Sequence, residues 1–105
     1  NNNYTALNTL APVRLKVVSS LAKKDGKDVI EATISNPMFS HSVAFAVHVQ
    51  AVRASDGKRI LPAFMNDDYF TLLRGESRKI RITFNPALLK DGKYQLLVRP
   101  FNNRN

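Results

Sequence analysis

The sequence predicts an all-β fold, two antiparallel sheets packed as a sandwich. Three observations carry that expectation. Short runs of alternating apolar and polar residues, rich in Val, Ile, Thr and Phe, recur along the chain. Turn signals such as Asp25-Gly26, Asn36-Pro37, Asp56-Gly57 and Asp91-Gly92 separate them at the intervals a sandwich needs. No run keeps a helical period long enough to make a core helix.

Residues 1–12 read as a linker from a preceding domain, and 13–105 as the sandwich. Tyr4, Leu7 and Leu10 are apolar anchors without a sustained period, and Pro12 stops any helix. The polar ends Asn1 and Asn105 read as cuts in a longer chain, so a missing leader carries no message. From Val13 alternation begins, with Val13, Leu15 and Val17 inward and Arg14 and Lys16 outward. Lys23 to Lys27 is a charged Asp-Gly turn. The second strand, Val29 to Ser35, points Ile30, Ala32 and Ile34 inward and ends at Asn36-Pro37.

The longest strand signal is Val43 to Ala54, the pattern of a central strand with both faces partly covered. Strict alternation puts Val43, Phe45, Val47, Val49 and Ala51 on one face and Ala44, Ala46, His48, Gln50 and Val52 on the other. Arg59 to Met65, Tyr69 to Leu73 and Ser77 to Phe84 follow, the last with Ile80, Ile82 and Phe84 inward. Asn85-Pro86 caps one expected helical turn over Ala87 to Lys90. Lys93 to Phe101 closes the set, with Tyr94, Leu96 and Val98 opposite Leu97 and Phe101. The sum is an immunoglobulin-like two-sheet antiparallel β-sandwich of about seven strands.

Composition removes whole classes of function. The 105 residues are enough for one domain with a real core, at 44% hydrophobic content. No apolar run approaches the roughly 20 residues of a membrane helix. With 0 Cys there is no disulfide, thiolate nucleophile or cysteine-bound metal. A net charge of +8 invites a nucleic-acid reading, but the basic residues are scattered through turns and alternate strand positions. If the first, second and penultimate strands share a sheet, Arg14, Lys16, Lys79 and Arg81 line its outer face with Glu31 between them.

The chemistry-bearing residues do not assemble into a reaction centre, and no catalytic, metal or cofactor residue is assigned. His41 and His48 lie roughly 23 Å apart along an extended chain, too far to share a metal. His48 reads as a partly buried, hydrogen-bonded side chain and His41 as a loop residue. Asp25, Asp56, Glu76 and Asp91 sit at glycine turns, where carboxylates bond nearby backbone. Asp67-Asp68 is the adjacent acidic pair, but a glycosidase needs two carboxyls facing each other across roughly 5–10 Å. Asn66, Asp67 and Asp68 lack the spacing of an EF-hand. Ser19, Ser20, Ser40 and Ser77 lack the Gly-x-Ser-x-Gly setting, and the lone glycines form no phosphate loop. Tyr94, entering a strand after Asp91-Gly92, reads either as a tyrosine corner bonding upstream backbone or as an ordinary core tyrosine.

The least generic stretch is Ile60 to Ser77. Pro62 should break the strand ladder, Asn66-Asp67-Asp68 should satisfy a tight loop, and Tyr69-Phe70 should pin that loop to the core. Three passages resemble the C-terminal immunoglobulin-like domain of family 2 glycoside hydrolases, of the β-mannosidase and exo-β-D-glucosaminidase types. They are Tyr4 to Leu10, Ile34 to Pro37 with Val43-Ala44-Phe45, and Ile60 to Phe64 with Asp68 to Leu73 and Gly75-Glu76-Ser77. Two positions depart from the pattern: Asp67-Asp68 where Asp-Asn is usual, and Arg74 where proline is common. The resemblance implies a non-catalytic accessory domain of a larger enzyme acting on β-mannosides or related β-glycosides. The catalytic glutamates would sit on a separate (β/α)8 barrel, against which this domain would pack. It implies a periplasmic or secreted bacterial setting as well. A carbohydrate-binding module and a basic protein- or nucleic-acid-binding sandwich are the alternatives.

Overall fold

The computed structural model describes residues 13–38, 42–67 and 69–101, so the linker reading of residues 1–12 and the readings of His41 and Asp68 lie outside it. Strands β1 (Lys16–Lys24), β2 (Lys27–Ser35), β3 (Ala44–Arg53), β4 (Ala63–Met65), β5 (Tyr69–Leu72), β6 (Ser77–Phe84) and β7 (Tyr94–Arg99) follow one another. They form a four-stranded sheet in the order β1-β2-β6-β4 and a three-stranded sheet in the order β5-β3-β7. The pairings are antiparallel. Ile30, Ile34, Ile80, Ile82 and Phe84 of the first sheet share one core with Val47, Val49, Phe70 and Leu72 of the second. The sandwich expected from the alternation is therefore present among the described residues.

The turns explain the register. Asp25 and Gly26 have φ of 52° and 76°. Both central residues at positive φ give the turn twist that suits a two-residue hairpin. Pairing then continues to Lys24↔Lys27, so β1 extends through Ser19–Ala22, beyond the short alternating stretch that announced it. Asn85 caps a single 3-10 turn, Pro86–Leu88, by accepting the Ala87 N–H at 2.9 Å. That replaces the turn expected over Ala87 to Lys90, and Leu89 drops into the core at its end. Strand β4 begins only at Ala63, after Pro62, which has no N–H to donate to a ladder; the Leu61–Pro62 bond is cis.

Strict alternation fails in β3. The β3–β5 register shifts between Ala44 and Val47, and Ala46 has φ of 45°. A bulge adds one residue and so reverses the facing of everything on one side of it. Ala44 therefore joins Val47 and Val49 in the core, while Phe45 turns outward and is 39% exposed. Strict alternation had put Phe45 on the same face as Val47, Val49 and Ala51, which are buried.

Asn36 is the least expected internal residue. Its side chain is 0% exposed, and its amide donates to the carbonyls of Ser42 at 2.9 Å and Leu72 at 3.1 Å. Its own N–H donates to the Glu76 carbonyl, and its carbonyl accepts from Gly75. One side chain thus ties the end of β2 to the approach of β3 and the end of β5.

Candidate functional site

The stretch 60–77 is where chemistry was worth seeking, and its polar groups are used to hold the fold. Asn66 Oδ1 accepts the Arg81 N–H at 2.7 Å, fastening the loop after β4 to β6. Asp67 pairs with Arg78, whose guanidinium carbon lies 5.0 Å from the Phe70 ring centroid. Phe70 is 6% exposed and pins the segment to the core as expected, whereas Tyr69 beside it is 61% exposed. The pair divides its work between inside and outside.

Asp28, Glu31, Asp56, Glu76 and Asp91 are similarly committed. Asp28 is buried and bonded to Lys23 Nζ at 2.6 Å. Glu31 faces Arg81 at 3.4 Å. Asp56 accepts from Arg53 and from the Lys58 N–H, and these bonds, Arg53 first, hold its carboxyl below the usual carboxylate range. Glu76 takes the Leu73 N–H and Asp91 the Lys93 N–H, as acids at turns do. Among the described residues, no group of three or more His, Cys, Asp or Glu is placed to hold a metal ion. Tyr94 follows the core reading, not the tyrosine corner: its ring packs against the core, and its hydroxyl hydrogen-bonds Ser19 Oγ at 2.8 Å, linking β7 of one sheet to β1 of the other.

What remains open are the two outer faces. On the four-stranded sheet, register aligns Ser20, Glu31 and Arg81 in one row and Val18, Thr33 and Lys79 in the next. They line a shallow trough of about 420 Å³. This is the charged face foreseen from the sequence, with Glu31 set against Arg81.

The three-stranded sheet is different in kind. His48 is the register partner of both Tyr69 and Arg99, so the three make one row across all three strands, with Gln50 and Leu97 in the next. The His48 and Tyr69 rings lie 4.6 Å apart, tilted by 36°. His48, Gln50, Leu97 and Arg99 border a depression of about 200 Å³. Phe45 lies on the same side through the bulge. His48 is partly buried as expected, but its Nδ1 is enclosed without a hydrogen-bond partner. Sequence reading missed this face because β5 and β7 reach β3 from far along the chain.

Comparison with known proteins decides the family. The model of the exo-β-D-glucosaminidase Ig-fold domain matches residues 1–103. The chain belongs to that family. Among solved structures, Amycolatopsis orientalis exo-chitosanase CsxA superposes with a TM-score of 0.83 at 25% identity. That match covers 93% of this chain but 12% of the enzyme's. A complex of a CsxA variant with PNP-β-D-glucosamine gives the same TM-score, 0.83, identity and coverage. Among curated proteins nothing matches. The recognised resemblance to glycoside hydrolase sandwiches is thereby shown, with glucosaminidases on the matching side and no support for the β-mannosidase branch.

Proposed function

We propose that this chain serves as a non-catalytic accessory domain of a larger family 2 glycoside hydrolase that removes β-D-glucosaminyl residues. The observation that carries the reading is the family match over residues 1–103, on a sandwich in which Asp28, Asp67, Glu76 and Asp91 are engaged in holding turns and strands. The reaction would belong to a catalytic (β/α)8 barrel elsewhere in the polypeptide, with this domain contributing support and interdomain packing. A secreted or periplasmic setting is part of the same proposal and rests on the family resemblance.

Substrate choice is the finer point. The solved relative is described as an exo-chitosanase and was complexed with a glucosaminide, which favours glucosaminides over mannosides. Comparing kcat/KM of the full-length enzyme on PNP-β-D-glucosaminide and PNP-β-D-mannoside tests this. Preference for the glucosaminide is expected. Preference for the mannoside would return the parent to the β-mannosidase branch and leave the accessory role standing.

A further inference from the structure

We propose that the outer face of β5-β3-β7 is the surface by which this domain docks onto another domain of its own polypeptide, an inference that rests on the accessory-domain reading. The two outer faces differ in what they offer a partner. The four-stranded sheet presents Lys16 and Lys79 in water and sets Glu31 against Arg81, and its most exposed apolar side chains, Val18 at 58% and Phe64 at 74%, stand on the two opposite edge strands with these charged rows between them. The three-stranded sheet presents large apolar groups close together, with Tyr69 61%, Phe45 39% and Leu97 38% exposed. Exposed apolar groups gathered on one sheet face favour interaction sites, because each area left in water forgoes its burial free energy.

The face is also prepared for contact. Tyr69 already packs against His48, and His48 is flanked by Arg99 on the central row, so little side-chain freedom is left to lose on docking. Aromatic and arginine side chains at the centre of a patch are the groups that dominate protein interfaces.

The occupant follows from length and charge. The matching region is 12% of the solved relative's chain, so most of the polypeptide lies outside it. A tethered neighbour meets this face at high effective concentration, so even a modest patch is enough for stable docking. Arg99, on a chain of net charge +8, calls for an acidic rim on that neighbour. The same cation disfavours a cationic amino-sugar polymer as the occupant.

Hydroxyl-radical footprinting of the full-length enzyme tests the proposal. Tyr69 and Phe64 are the reporters: Tyr69 is 61% exposed on the proposed face and Phe64 is 74% exposed on β4 of the other sheet. The expected result is strong protection of Tyr69 with Phe64 freely oxidised. Leu97→Glu, and separately Arg99→Glu, should raise Tyr69 oxidation about tenfold by shifting the docking equilibrium by that factor. Tyr69 oxidised as readily as Phe64 would overturn the proposal, and protection of Phe64 instead would assign docking to the other sheet. Protection of Tyr69 that requires added glucosamine oligomer would make the face a sugar site. Loss of protection on dilution of the enzyme would point to a second copy. If the full-length protein lacks glucosaminidase activity while Tyr69 is protected, the enzyme assignment fails and the docking face survives.

Discussion

Asn36 provides the sharpest test of how the two sheets are joined. Replacing it by Asp keeps the shape of the side chain and removes its two N–H donors. The Ser42 and Leu72 carbonyls, at 2.9 and 3.1 Å, would then face a carboxylate inside a fully buried site. A buried polar group left without its partner costs about 1–3 kcal/mol, so two lost donors give about 2–6 kcal/mol. That is a large part of the roughly 5–15 kcal/mol that stabilises a domain of this size.

The sign of the pH dependence follows from the same geometry. Burial beside two carbonyl oxygens favours the neutral, proton-donating form of the introduced carboxyl, so its folded pKa rises above its unfolded value. Its defect is therefore smallest below the unfolded pKa and grows as pH rises through the folded pKa. Urea unfolding of the 105-residue chain, followed by far-UV circular dichroism because it has 0 Trp, measures both effects. A loss under about 1 kcal/mol at neutral pH, or a loss that ignores pH, would refute the claim that the amide donors join the sheets.

Two further substitutions probe the core and the inter-sheet link. Phe70→Ala should cost about 3–5 kcal/mol by the same unfolding measurement, as expected for a large ring emptied from a packed core; a loss below about 1 kcal/mol would mean the ring is not packed there. Ser19→Ala and Tyr94→Phe, combined in a double-mutant cycle, should show a coupling of about 0.5–1.5 kcal/mol for their hydrogen bond. Zero coupling would remove that bond from the account.

The sequence made the inward sets of β2, β6 and β7 legible because alternation there is uninterrupted and the turns are dictated by Asp-Gly. Phe45 was assigned to the wrong face because a bulge is invisible to a period of two. In the structure it shows as the register shift between Ala44 and Val47 and the φ of 45° at Ala46, a backbone conformation uncommon for a non-glycine residue. Asn36 was legible as a strand terminator but not as an internal bridge. One of its acceptors, Leu72, belongs to a strand 36 positions away, and its register is fixed by the whole sandwich. The exposed Tyr69–His48–Arg99 row was hidden for the same reason: three strands distant in sequence contribute one residue each. The acids Asp56, Glu76 and Asp91 were readable, since such a bond is made within a few residues, whereas the side chain of Asp25, expected to do the same, shows no backbone bond. The bond from exposed Lys23 to buried Asp28 across the first hairpin was not singled out, although its register follows directly from the Asp25-Gly26 turn.

The measurement that bears most directly on the account is hydrolysis of PNP-β-D-glucosaminide by the 105-residue chain alone. The account predicts release of nitrophenol no faster than in buffer. Turnover above that background, abolished by Asp67→Asn in a variant that remains folded, would contradict it by making the loop after β4 a catalytic site.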